Sequence, residues 1–195
     1  MLIVFEGIDG TGKSTQLRML AERLEQEGYE VVSSFEPTNG QYGSLLRSSA
    51  SRPEGRYSLQ EEFDLFLLDR RDHIQSLITP ALQQGKIVLL DRYYFSTMAY
   101  QGARGMDPAH IRAKNEEFAI PPDLVLVLTQ PVEVSLERIG GRDGEGDAFE
   151  ARESLEKCAE IFLSLEDEAV HFIDAQRTAD LVHEQIHELV LGYMA

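Results

Sequence analysis

Apolar positions fall along this chain in two alternating patterns. Short aliphatic-rich runs at 2–6, 30–35, 86–90, 123–128 and 170–173 predict strands. Several of them lack the in–out alternation of a half-exposed sheet and so predict burial on both faces. Between the runs, apolar residues recur every three or four positions and predict helices near 13–27, 41–50, 59–84, 131–140, 149–167 and 178–193. In the first helix Leu17, Leu20, Ala21 and Leu24 form the apolar stripe, and Gly28 is placed to end it. In the long third helix Phe63, Phe66, Leu67, Ile74, Leu77 and Ile78 share the spacing, and Gly85 stops it. Asp107-Pro108 reads as an N-cap followed by proline at the first helical position. The segment Gly140-Gly141-Arg142-Asp143-Gly144-Glu145-Gly146 is too glycine-rich to be rigid. Five such strands alternating with helices predict a parallel sheet covered on both faces, a three-layer α/β/α fold. With no internal repeat or long linker, the whole of 1–195 reads as a single domain.

Composition narrows the function classes. At 195 residues and 43% hydrophobic, the chain can bury a substantial core. Asp plus Glu number 34 against 18 Lys plus Arg, a formal net charge of −16, which removes the basic footprint of a nucleic-acid or anionic-membrane binder. The longest aliphatic runs, such as Ile87-Val88-Leu89-Leu90, fall far short of the roughly 20 residues that span a bilayer. No basic segment precedes the first apolar run, so a cytoplasmic location is expected. The single cysteine, Cys158, excludes an internal disulfide framework and a cysteine-based zinc site. His183 and His187 are spaced i, i+4 but lie on the last helix, away from the other motifs, and read as solvated surface. Any phosphate bound by so acidic a chain must meet locally concentrated positive charge, so individual arginines matter.

The strongest motif is Gly7-Ile8-Asp9-Gly10-Thr11-Gly12-Lys13-Ser14, which satisfies G-x-x-x-x-G-K-[ST] between a strand and a helix. Its glycines let successive N–H groups converge on a phosphate at a helix N-terminus. Lys13 is then expected to reach the β- and γ-phosphates, and Ser14 to offer its hydroxyl to Mg²⁺. Asp91-Arg92-Tyr93 closes the third strand at its C-terminal end, where open α/β sheets bind ligands. There Asp91 suits a magnesium ion, and Arg92 a transferring phosphate.

The run from Phe5 through the P-loop to Thr15-Gln16 resembles the thymidylate kinase family of P-loop nucleoside monophosphate kinases. So does Asp91-Arg92-Tyr93-Tyr94-Phe95-Ser96-Thr97-Met98-Ala99-Tyr100-Gln101-Gly102, together with Glu36-Pro37, Pro122-Asp123-Leu124, Asp147-Ala148-Phe149-Glu150 and Ile173-Asp174-Ala175. The resemblance covers nearly the whole chain in order. It implies Mg²⁺-dependent transfer of the γ-phosphoryl group of ATP to dTMP by a homodimer, with residues 7–15 as the ATP-binding loop. It implies that Phe66 stacks on thymine, Arg70 bonds a base carbonyl, Thr97 and Gln101 read the base edge, and Tyr100 packs beneath the sugar at its 2′ position. Arg47 would hold the acceptor phosphate, Arg92 would bridge donor and acceptor, and Asp9, Ser14 and either Asp91 or Glu150 would arrange the metal. Arg138 and Arg142 flank a lid at about 138–149. Because Ile8, Asp9, Gly10 and Thr11 include no base, one of these two arginines would carry positive charge to the transferring phosphoryl group, with Lys13 and Arg92.

Other readings of the same residues stay open at this level. Phe66 also belongs to the apolar stripe, Tyr100 also fits a helix packed on the sheet, and Arg138 and Arg142 also fit solvated surface. Many bacterial members carry Arg-Glu-Pro-Gly-Gly where this chain has Phe35-Glu36-Pro37-Thr38-Asn39-Gly40, one arginine fewer in the acceptor-phosphate pocket. That departure leaves room for another deoxynucleotide or a deoxynucleoside as acceptor, with Glu36 as base. A P-loop protein that kept nucleotide binding and lost turnover is the third reading.

Overall fold

The computed structural model describes residues 1–50, 57–140 and 145–194, without the side chains of 50 and 145–150. Five strands, β1 (Leu2–Glu6), β2 (Val31–Phe35), β3 (Ile87–Asp91), β4 (Leu124–Thr129) and β5 (Val170–Asp174), form one sheet in the order β2-β3-β1-β4-β5. Every pairing is parallel. The registers place Phe5 opposite Asp91, so β1 and β3 end side by side. The connection leaving β1 crosses to one side of the sheet and that leaving β3 to the other. Their C-terminal ends therefore flank the crevice where such sheets bind ligands.

Burial follows the strand pattern. On β1, Leu2 and Val4 pack with one core cluster while Ile3 and Phe5 pack with another on the opposite face. The second face is covered by α1 (Lys13–Gln26) through Leu17, Leu20 and Leu24, and by α9 (Ala179–Met194) through Val182, Ile186 and Val190. The first face carries α3 (Leu59–His73), α5 (Tyr94–Ala103), α6 (Pro108–Glu116) and α8 (Glu145–Leu163), with Phe63, Phe95, Ile111 and Phe162 buried against it. Each such side chain contributes about 1.5–3 kcal/mol, which is why the central strands tolerate no polar face. Edge strands β2 and β5 are only partly covered, and Phe35 stays exposed.

Helix ends obey local chemistry. Ser58 accepts from the Glu61 backbone while Glu61 reaches back to the Ser58 N–H, a complete capping box that starts α3. Asp107 caps α6 by accepting from the Ala109 N–H at 3.0 Å, with Pro108 in the first turn as expected. The long helix predicted over 59–84 is one helical run broken by a π turn (Ile74–Ile78) before α4 (Thr79–Gln83). Pro80 supplies the cause, because it lacks an N–H and crowds the carbonyl four residues earlier, which a widened turn relieves. Two further differences stand out. The segment 94–103, given no element by periodicity, is helix α5, buried on most sides. Helix α8 begins at Glu145 rather than near 149, so the last two residues of the glycine-rich segment are helical. A glycine costs a helix only about 1 kcal/mol, which a long packed helix absorbs.

Helices α2 (Gln41–Ala50) and α7 (Val132–Ile139) complete the chain, and Gly140 ends α7 with φ 77°. Among the described residues, no helix is long and apolar enough to cross a membrane. His187 is buried, not solvated, with Nε2 3.0 Å from the Glu27 carboxylate beside α1. Its apolar neighbours Val182, Ile186 and Val190 draw that face of α9 onto α1.

Candidate active site

The loop after β1 has its shape because three positions take backbone angles that side chains resist. Gly7, Gly10 and Gly12 have φ of 125°, 82° and 92°. A Cβ on Gly7 would lie 2.4 Å from the Leu128 carbonyl oxygen, and one on Gly10 would lie 2.8 Å from that of Ser135. The loop is thereby pressed against β4 and α7, and α1 opens at Lys13 with no side chain capping it. Its first N–H groups face a cavity of about 550 Å³ lined by residues 9–15 with Gln16, Asp91, Arg92, Arg138 and Arg177. Lys13 is buried and donates from Nζ to the Ile8 carbonyl at 2.9 Å. Burial, and then Arg92, hold its ammonium down at about 8. A phosphate in the cavity would reverse that pressure.

The Ser14 hydroxyl donates to Asp91 Oδ2 at the end of β3. These two oxygens, one from each side of the crevice, are hard donors of the kind Mg²⁺ prefers. Among the described residues no group of three or more His, Cys, Asp or Glu could hold a metal. A two-oxygen site completed by water and phosphate oxygens fits Mg²⁺, which is rarely caged by protein alone. Asp9, also expected near the metal, is engaged elsewhere, with Oδ1 2.5 Å from Arg92 Nη2 and Oδ2 accepting from the Tyr100 hydroxyl at 3.0 Å. Burial opposes ionisation of Asp9, but Arg92 and Lys13 overcome it and hold the carboxyl below its usual range. Of the two arginines expected on a lid, Arg138 donates to Gln130 Oε1 at 2.7 Å and to the Gly10 carbonyl at 3.3 Å, at the rim of this cavity. Arg142 and the Glu150 side chain lie outside the described residues.

Across Arg92 is a second cavity of about 400 Å³, lined by Phe66, Arg70, Thr97, Tyr100 and Gln101 together with Asp9, Glu36, Pro37, Tyr93 and Ser96. Arg70 is 1% exposed. It donates through Nε to Glu36 Oε2 at 2.8 Å, through Nη2 to the Thr97 hydroxyl at 3.2 Å, and through Nη1 to Asn115. Arg71, its neighbour in sequence, instead lies over the Phe118 ring with its guanidinium carbon 3.7 Å from the ring centre. Glu36 Oε1 meets His73 Nδ1 at 3.0 Å, so both oxygens of the carboxylate proposed as a base for a nucleoside acceptor are already engaged. Arg47 does not line the cavity. It stands beside it, donating to the Pro37 carbonyl at 2.7 Å and to Asn39 Oδ1 at 3.1 Å.

Four contributors were not foreseen. Arg177 enters the donor cavity from the turn after β5. Asp69, 2% exposed, accepts from the Thr38 N–H at 2.7 Å, the Thr38 hydroxyl at 2.6 Å and the Gly43 N–H at 3.0 Å, so it ties the altered 38–43 segment to α3. Its position three residues after Phe66, on the buried side of α3, was the available signal. Asn115 reaches Arg70 from α6, which nothing local announces. Glu6 is fully buried beneath Arg92, and burial pushes its carboxyl up to about 7 against bonds from Ser96 and the pull of Arg92.

A glycine loop and lysine over a 2-3-1-4-5 parallel sheet, joined through one arginine to a cavity with an aromatic wall, define a P-loop phosphotransferase with adjoining donor and acceptor sites. The family model described as Thymidylate kinase matches residues 5–186. A thymidylate kinase of Akkermansia muciniphila is 54% identical over 187 residues, covering 96% of this chain and 89% of the relative. Those of Xanthomonas campestris pv. campestris and Desulfotalea psychrophila are each 48% identical, covering 100% and 95% of this chain and 85% and 91% of the relatives. The chain belongs to the thymidylate kinase family.

Proposed function

We propose that the protein transfers the γ-phosphoryl group of ATP to the 5′-phosphate of dTMP, giving dTDP and ADP. The observation that carries this reading is Arg92, which lines both the P-loop cavity and the aromatic-walled cavity beside it. Nucleoside monophosphates have a second phosphate pKa near 6, so at neutral pH the attacking oxygen arrives deprotonated. The reaction then asks for alignment and charge neutralisation, not a general base. Lys13 and the loop N–H groups grip the donor phosphates, Arg92 meets the phosphoryl group in transit, and Arg138 and Arg142 bring charge from the lid at about 138–149. Phe66 stacks on thymine, Arg70, Thr97 and Gln101 bond its polar edge, and Tyr100 fills the space a 2′-hydroxyl would need. Arg47 swings from the 37–39 segment to the acceptor phosphate. Ser14 and Asp91 would hold Mg²⁺, with Glu150 the alternative to Asp91 that the resemblance offers, and the ion would supply charge neutralisation on the donor phosphates when bound; Asp9 serves that site through its grip on Arg92.

The protein is further proposed to work as one domain in a cytoplasmic homodimer. The side of α3 bearing Leu68, 41% exposed, has no cover among the described residues and suits a second copy. Its net charge of −16 speaks against nucleic acid as a partner. ADP release measured across dTMP, dUMP, UMP, CMP, AMP and GMP tests the assignment. Turnover should be highest on dTMP, and a better acceptor among the others overturns the substrate while leaving the P-loop reading standing.

A further inference from the structure

We infer that Glu6 is a positioning residue for Arg92: its buried carboxylate caps the first turn of α5 from the neighbouring strand and, through the Ser96 hydroxyl, aims the guanidinium into the space between the two cavities. Arg92 is the one non-glycine with positive φ, 75°, among the described residues. An L-residue does not hold that strained conformation without support. The support comes from β1 on both sides of the residue. Arg92 N–H donates to the Phe5 carbonyl at 2.9 Å, and the next N–H, that of Tyr93, donates to Glu6 Oε1 at 2.8 Å. Ser96 N–H joins the same oxygen at 3.2 Å. Tyr93 at the N-cap offers no side-chain bond of its own, so Glu6 does the capping from another element.

The side chains continue the arrangement in one direction. Arg92 Nη1 donates to Ser96 Oγ at 2.8 Å, and Ser96 Oγ donates to Glu6 Oε2 at 2.5 Å. Asp9 holds the other amino group of the guanidinium, so the fork is fixed from two sides. Once ionised, the carboxylate accepts at both oxygens, and this polarity is what turns the serine lone pair toward Arg92. An amide at the same place keeps the shape but offers its NH₂ to Ser96 Oγ and competes with the guanidinium. The charged groups facing Glu6 are Arg92 and Lys13, both belonging to the phosphate-binding machinery. Glu6 touches neither cavity's lining, so its effect must pass through Arg92.

The inference rests on the phosphoryl-transfer reading, and a double-mutant cycle separates the two. Steady-state kcat and KM for dTMP are measured at saturating ATP for wild type, Glu6→Gln, Arg92→Ala and the double variant. Glu6→Gln should lower kcat by about 100-fold, the order expected when a reacting group is misplaced by an ångström, with a smaller change in KM. Added to Arg92→Ala it should cost nothing further. Losses that multiply show independent action and overturn the inference. Ser96→Ala, which leaves the backbone caps in place, runs through the same cycle and decides the matter if Glu6→Gln does not fold; an unchanged kcat in Ser96→Ala overturns the relay. A wild-type enzyme inactive on dTMP overturns the functional reading and the inference with it, whereas an active one with multiplying losses overturns the inference alone.

Discussion

The P-loop cavity and the aromatic-walled cavity, the proposed donor and acceptor sites, meet at Arg92 but are assembled in opposite ways. The donor site is built mainly from one unbroken stretch, residues 9–16, whose shape comes from glycine angles and which carries the uncapped N-terminus of α1. The acceptor site takes side chains from β1, the segment after β2, α3 and α5, and it is held by a buried network in which Arg70 joins Glu36, Asn115 and Thr97. Phosphate is common to every nucleotide, and backbone suffices to recognise it. A particular base needs side chains at fixed distances, and those must be supported by other side chains.

The widest separation between the two sites should appear at Arg138 and Arg142. Arg142→Ala should depress kcat by about 10³-fold, as for a lost arginine finger, while dTMP affinity changes little. Arg138→Ala should share the effect, since Arg138 already reaches the Gly10 carbonyl. If both variants keep kcat within a few-fold of wild type, the donor site draws its charge from elsewhere.

Next in size is Arg70→Ala, which strikes the acceptor site through stability as well as binding. The Arg70–Glu36 pair is 1% and 3% exposed, and removing the cation leaves a carboxylate buried beside His73 without its guanidinium. Denaturation should report a loss of about 3–5 kcal/mol, and KM for dTMP should rise in whatever fraction folds. Chemical denaturation indistinguishable from wild type contradicts the network.

Glu6 lies beneath both sites and gives a pH-dependent comparison. Its carboxyl is raised from 4.5 to about 7 by burial, so across that interval the folded protein holds a proton that the unfolded chain has released. Stability of wild type relative to Glu6→Gln should therefore fall as pH rises from 4.5 to about 7, by up to about 3 kcal/mol in total. A stability difference that is flat over the interval would show that the carboxyl is not displaced.

The smallest expected change is the most selective. Arg47→Ala should raise the dissociation constant of dTMP by about 10-fold, the worth of one charge-assisted hydrogen bond, with kcat little changed. Titration calorimetry with dTMP alone checks it, and a loss confined to kcat would move Arg47 out of acceptor binding.

How much of this was legible follows from where each residue gets its support. The three-layer sheet was readable because strands β1, β3 and β4 are buried on both faces and so carry apolar residues at nearly every position. The P-loop was readable because its glycines answer constraints only a few bonds away. Helix α5 was missed because it packs on nearly all sides; Phe95, Thr97, Ala99 and Gln101 are all buried, so no stripe remains to show a period of 3.6. Residue periodicity did not separate Arg70 from Arg71, which are adjacent and identical; burial in the network put the first in the cavity, and the Phe118 ring took the second.

The chain by itself determined the strands, most of the helices and a phosphate-binding loop, since each depends on interactions local in sequence or on simple burial. Tertiary structure alone decided that Asp9 faces Arg92, that Glu36 is tied to Arg70 and His73, and that Glu6 caps a helix 87 residues away. Those pairings depend on β1 and β3 ending side by side and on α3 packing beside α5. A charge declares its partner only once strand order has brought the two within hydrogen-bonding reach.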